Sequence, residues 1–181
     1  MLCRLTPLLI GLSACSEPLG PAQSAPPLSS ISFRALSTGD TVYVDQHSVG
    51  CFSVSDSRLM FVRTANGVVV SGEVIWSGTF VTSADRRAPV RLRLLTNREL
   101  VLLDNLLRLY RHEEHQTRCW STGQESTRIH ATRGLVEQHE TDSCIELEFI
   151  DDPLGFTTRP RTDIMSLYEL TKPALEALRR S

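Results

Sequence analysis

The chain is nearly without lysine: of its 19 basic residues only Lys172 is one, and the rest are arginine. With a formal net charge of −2 there is no cationic excess to draw the protein onto nucleic acid, and the arginine bias alone carries no mechanistic weight. A membrane-crossing run is missing too. The N-terminal apolar stretch, residues 5–12, falls short of the roughly 20 apolar residues that a helix needs to cross a bilayer. Several chemical signatures are absent: a Gly-rich phosphate loop, a Gly-x-Ser-x-Gly elbow, a Cys-x-x-Cys pair, and any paired carboxylates set up as acid and base. Catalytic groups converge in space rather than in sequence, so these gaps lower the expectation of an enzyme without removing it. No internal repeat is visible, and no cofactor is implied.

What is present begins at the N-terminus. One positive charge, Arg4, followed by the apolar run 5–12, has the layout of a secretory signal. The run closes on Leu12-Ser13-Ala14-Cys15, and these four residues resemble the lipobox of bacterial lipoproteins. The resemblance is confined to that stretch, and it implies a sequence of events. The Cys15 thiol receives a diacylglycerol, the signal is cut just before it, and the new amino group is acylated. Small residues before the cysteine let the backbone enter the peptidase. Two or three acyl chains, at about 0.8 kcal/mol per buried methylene, give lasting attachment where one chain is marginal. Ser16 stands where Asp tends to retain such proteins in the inner membrane of Gram-negative bacteria. Its presence therefore favours the outer membrane, with the domain facing the periplasm.

The expected organisation is a signal peptide at 1–14, a lipidated Cys15 with a linker through residue 30, and one domain over 31–181. The linker is rich in Pro, Ser and Ala with no apolar period, so it cannot bury enough surface to offset its ordering entropy and should be an extended spacer. About 150 residues remain, enough for one ordinary domain with a real core.

Within the domain, residues 41–45 and 51–54 are short strand candidates, and 58–64 with 68–82 give the clearest β signal. Asn66-Gly67 between the latter two is the dipeptide of a two-residue type I′ hairpin. A turn there sets Phe61 opposite Gly72 and Leu59 opposite Val74. Val68, Val70, Val74, Trp76 and Phe80 then share one face, and Ser71, Glu73, Ser77 and Thr79 the other. Gly72 and Gly78 mark bends or bulges in so long a strand. Residues 84–89 read as a loop. From 90 to 95 alternation resumes, with Val90, Leu92 and Leu94 on one side and Arg91 and Arg93 on the other.

Then the period changes. Thr96-Asn97-Arg98-Glu99 has the form of a capping box, and Leu100, Leu103, Leu106, Leu107 and Tyr110 follow at helical spacing. This predicts a helix over 97–115 whose apolar stripe lies across a sheet. Residues 118–122, 126–132 and 135–140 are further strand candidates. Residues 144–150 form a stronger one, with Ile145, Leu147 and Phe149 alternating with Cys144, Glu146 and Glu148. Residues 152–155 turn the chain. Residues 163–180 are helical in pattern, with Pro173 expected to break or bend them near Thr171. The fold class is therefore α+β: a mainly antiparallel sheet, one central amphipathic helix packed on it, and a short helical C-terminus.

Export would place Cys51, Cys119 and Cys144 in an oxidising space. Three is odd, so at most one internal bridge forms. Cys119 with Cys144 is the favoured pair, contributing about 3 kcal/mol in the chain-entropy picture, and Cys51 with Cys144 the competitor. The leftover thiol reads as a small buried hydrophobe.

Two constellations invite functional readings. His112-Glu113-Glu114-His115 places two imidazoles three apart on a helix, not the four apart of zinc proteases. A metal shared by His112 and His115 would need a third ligand, with His130 or His139 as candidates, and a solvated helix end is the plainer account. Arg86, Arg87, Arg91 and Arg93 could meet an anionic partner such as lipid phosphate, or simply cover a wet face. Arg128 and His130 are expected to face Glu146 and Glu148 across strands.

The sequence thus points to a membrane-tethered cell-envelope lipoprotein acting as a binding or structural module toward an envelope protein or polymer, with no nucleic acid involved. The competing reading is a small periplasmic hydrolase or metal-dependent enzyme that uses the histidines.

Overall fold

Asn66 and Gly67 do seed the central hairpin, though one step along from the expected position. In the computed structural model, which describes residues 30–49, 53–78, 85–111, 124–142, 147–149 and 158–180, β2 (Ser53–Thr64) and β3 (Gly67–Gly78) pair with Thr64 directly opposite Gly67. The two turn residues are therefore Ala65 and Asn66. Gly67, at φ +132°, occupies the last rung of the ladder, a backbone conformation that suits glycine. The Thr64 hydroxyl tightens the corner by accepting from the Asn66 amide at 3.2 Å and donating to the Gly67 carbonyl at 2.9 Å. Phe61 consequently faces Val70, and Leu59 faces Gly72. The expected partners were two residues further along β3. A shift of two preserves which side each residue faces, and Val68, Val70 and Val74 are buried as the alternation requires.

The remaining strands build outward from this hairpin. β1 (Thr41–Val49) pairs with β2 along its whole length and with β5 (Gln124–Ala131) on its other side, and β6 (Val136–Asp142) follows. With β4 (Arg86–Leu94) on β3, the order is β4-β3-β2-β1-β5-β6, antiparallel throughout. β2 is one strand of 12 residues where two were expected, because Ser55, Asp56 and Ser57 are laddered on both sides, to β1 and to β3.

β4 departs further from the expected pattern. Its first residues, read as loop, are strand from Arg86. Pro89 is tolerated because β4 is an edge of the sheet, where a missing amide donor breaks no ladder. A bulge then interrupts it. Gly72 faces Val90 but Val70 faces Arg93, so Arg91 and Leu92 together oppose the single residue Ser71. The extra residue inverts the alternation. Ala88 and Val90 are buried, whereas Leu92 and Leu94 are 68 % and 51 % exposed, so the three residues expected on one side are split between two. Gly72 sits at this irregularity, and a Cβ there would lie 2.1 Å from the Arg58 carbonyl oxygen.

The central helix, α1 (Asn97–Arg111), starts at the capping box. The Glu99 carboxylate accepts from the Thr96 amide at 2.7 Å and from its hydroxyl at 2.9 Å, while the Glu99 amide donates back to the Thr96 hydroxyl at 3.2 Å. All five residues of its apolar stripe, Leu100, Leu103, Leu106, Leu107 and Tyr110, are buried. The expected continuation to residue 115 lies outside the described residues, as does the strand candidate at 118–122.

β7 (Leu147–Phe149) pairs with β8 (Thr158–Pro160) in a separate two-stranded ribbon. β5 is laddered to β1 and β6 instead, so Arg128 and His130 do not face Glu148 as expected, and Glu146 lies outside the described residues. Arg128 faces Asp45 and Gln138, and His130 faces Tyr43 and Val136.

The C-terminal helix, α2 (Leu167–Arg180), runs unbroken through Pro173. Ser166 caps it, its hydroxyl accepting from the Tyr168 amide at 3.0 Å. Proline costs α2 one backbone hydrogen bond. Burial of Leu167, Leu170, Ala174, Leu175 and Leu178 outweighs that loss, since helices in proteins draw most of their stability from packing.

α2 packs on β3 and β4, and α1 lies toward β6. A strap, residues 30–40, completes this layer with Ile31, Phe33 and Leu36 buried. Asp104 on α1 holds it by accepting from the Phe33 amide at 2.6 Å, the Ser32 hydroxyl at 2.9 Å and Arg34 Nε at 2.7 Å. Arg111 donates to the Ile31 carbonyl at 2.8 Å while paired with Glu137 at 2.6 Å. Burial alone would raise the Glu137 carboxyl, but hydrogen bonds from Arg111 outweigh it and the net shift is downward. At the other end of the strap Asp40 is bonded to Arg133 at 2.6 Å and to the Ser37 amide at 2.7 Å. Helices, strap and core thus all lie on one face of the six-stranded sheet.

Candidate functional site

The other face belongs to alternate residues of the same strands. On β1, Val42 and Val44 enter the core, and Tyr43, Asp45 and His47 therefore point away from it. Register sets what stands beside them. Tyr43 lies between Met60 and His130, Asp45 between Arg58 and Arg128, and His47 between Asp56 and Ser126. Three cross-strand rows follow, one aromatic and two charged.

In the aromatic row the Tyr43 and His130 rings stack at 4.8 Å. In the next row Asp45 takes a hydrogen bond from Arg58 Nε at 2.7 Å, with His130 Nδ1 at 3.9 Å from its second oxygen. The bond it donates to Asp45 holds the Arg58 guanidinium more firmly protonated than usual. The third row carries His47 with Nδ1 2.7 Å from Asp56. Glu73 and Arg87 approach at 3.6 Å on β3 and β4. Asp45, Asp56, Arg58, Glu73, Ile75 and Arg87 line a shallow depression of about 320 Å³. A second depression of about 440 Å³ at the sheet end borders His47, Ser126 and Glu140. Alternating charges on a solvated sheet can complement a charged partner surface and fix its register. His47 and Ser126 face one another across strands, but no hydrogen bond joins them among the described residues, so the row forms no activated nucleophile.

The sequence-derived candidates scatter over this frame. Arg86 turns inward, its guanidinium 5.4 Å above the Trp76 ring and donating to the Leu178 carbonyl, where it serves the C-terminal end of α2. Arg87 meets Glu73, and Arg93 meets Glu99 at 2.7 Å. Arg91 is exposed. The four arginines therefore do not converge on one anion. His130 lies on the open face of β5, whereas His139 lies on the covered face of β6, stacked on Tyr110 at 5.5 Å and 3.3 Å from Glu137. The two imagined third ligands stand on opposite sides of the sheet. No cluster of three His, Cys, Asp or Glu residues able to hold a metal occurs among the described residues. His112 and His115, and likewise Cys15, Cys51, Cys119 and Cys144, lie outside them.

Sequence reasoning missed Tyr43, Asp45, His47, Asp56 and Arg58. The alternation of 41–49 carries the signal, since Val42 and Val44 interleave with Tyr43, Asp45 and His47, but Gln46, His47 and Ser48 are polar on both faces and the pattern fades after Asp45.

The fold and this face define the molecule as a one-sided α+β sheet domain that displays a broad polar surface. No known family, no curated protein and no solved structure matches the chain.

Proposed function

We propose that the chain is a lipid-anchored protein of the bacterial envelope whose domain is a binding module, presenting the open face of its sheet to an envelope protein or polymer. One observation carries the second half of this reading. Helices and strap cover a single face of six strands, while the opposite face carries ion pairs over shallow depressions. Small-molecule sites are typically concave and largely enclosed, whereas macromolecular partners are met by broad polar surfaces with a few apolar anchors. The first half rests on Leu12-Ser13-Ala14-Cys15. Arg111 and Glu137 support it by clamping the strap at Ile31, so that a linker leaving residue 30 would pull against an ion pair rather than a frayed end.

The proposal includes one disulfide, Cys119 with Cys144, with Cys51 to Cys144 as its competitor. Register supports it: Val49 faces Gln124, and Gln124 faces Asp142, so described residues close in sequence to all three cysteines meet at one end of the sheet.

Two experiments test the two halves. Labelled fatty acid should enter the wild-type product, and Cys15→Ala should release it from the membrane fraction. Equal fractionation of the two would overturn the anchor. Affinity capture from envelope extracts should return one stoichiometric partner, lost when His47 and Arg58 are both replaced by Glu. Capture indifferent to that change would overturn the binding face.

A further inference from the structure

The bulge in β4 turns Leu92 and Leu94 out to solvent at the very edge of the open face. Bulges re-aim side chains, and the ones re-aimed here are large and apolar. Leu94 faces Val69, which faces Val62, so Leu94 heads an apolar row across three strands, with Leu92 beside it in the bulge. Arginines frame it. Arg93 is satisfied by Glu99 at 2.7 Å, but Arg91 and Arg98 are exposed and have no ion-pair partner among the described residues.

We propose that the corner made by Leu92 and Leu94 with Arg91 and Arg98 rests on the anionic surface of the bilayer, resting in turn on the lipid-anchor reading of Cys15. Leucines that enter the acyl boundary beside arginines that meet lipid phosphates are the chemistry of interfacial binding. Size favours the membrane over a protein. Two leucines and two arginines fall well short of the roughly 800 Å² per partner that a stable protein interface covers. A tether changes what so small a contact can do. Residues 15–30 span at most about 55 Å when extended. Arg111, which holds Ile31, lies about 22 Å along α1 from the end near Leu94, by helix rise alone. The corner is within reach of the anchored surface and is held at an effective concentration of about a millimolar, where weak contacts are populated.

The test supplies its own tether, so that it does not depend on acylation in the cell. The chain from residue 15 onward, with Cys15→Ala and an N-terminal hexahistidine, is attached to vesicles through a nickel-chelating lipid. Leu92→Trp is then compared with the parent on brominated phosphatidylcholine with and without phosphatidylglycerol. Emission from the introduced Trp should fall roughly twofold on anionic vesicles, recover at high salt, and recover when Arg91→Glu and Arg98→Glu are added. Val101→Trp, on the outer side of α1, should be unquenched. Equal emission on brominated and plain vesicles overturns the proposal, as does quenching indifferent to anionic lipid or shared by position 101. A blue shift without bromine quenching, dependent on protein concentration, assigns the corner to a second copy of the chain instead.

Discussion

The two faces of one sheet follow different rules. On the covered face Val42, Val44, Leu59, Phe61, Val70, Val74 and Ile129 are each no more than 1 % exposed and share a single core with both helices. On the open face their neighbours in sequence pair at the rim of the solvent instead, Tyr43 stacked on His130 and Asp45 bonded to Arg58. Stability is concentrated on the first face, because burial contributes about 25 cal/mol per Å² of apolar surface while exposed ion pairs contribute little. The second face is thus open to selection for a partner with small cost to folding.

Substitutions can break that contrast. The largest effect belongs to Phe61→Ala on the covered face, which should lower unfolding free energy by about 3–5 kcal/mol in urea melts, because the ring leaves a cavity among Phe33, Val70 and their neighbours. Gly72→Ala comes next at roughly 1–3 kcal/mol, since its Cβ must push back the Arg58 carbonyl and disturb the β2–β3 ladder. Glu99→Ala should cost about 1 kcal/mol at neutral pH through loss of the reciprocal cap. Burial raises the Glu99 carboxyl and bonds from Thr96 and Arg93 lower it, with a net downward shift from 4.5. Its contribution is therefore complete above that value and is lost as pH falls through the lower folded value. The gap between parent and Glu99→Ala should close in melts taken at progressively lower pH. The smallest effect is Met60→Ala on the open face, within about 0.5 kcal/mol; a loss comparable to Phe61→Ala would show that the open face belongs to the core after all.

The same division explains what was legible in the sequence. α1 was readable because its signals are local: Thr96 and Glu99 stand three apart, and the leucines repeat within the helix itself. The hairpin was readable for the same reason, apart from the one-step error in the role of Gly67. β4 was not. Its bulge lies beside Gly72, whose backbone packs closely on Arg58 of a third strand, and nothing in residues 90–95 records that. The continuity of α2 through Pro173 was also hidden, because it depends on a sheet surface contributed by residues about 80–100 positions earlier. The open face was half visible. Alternation says which residues leave the core, but only pairing says that His47 meets Asp56 and that Tyr43 meets His130.

A photo-crosslinking residue placed in living cells at position 47 on the open face, and in a second strain at position 101 on the helical layer, asks directly which surface meets a partner. A discrete adduct of one size from position 47, and none from position 101, is the predicted result. Adducts from position 101 alone, or from neither position, would contradict the assignment of the open face as the binding surface.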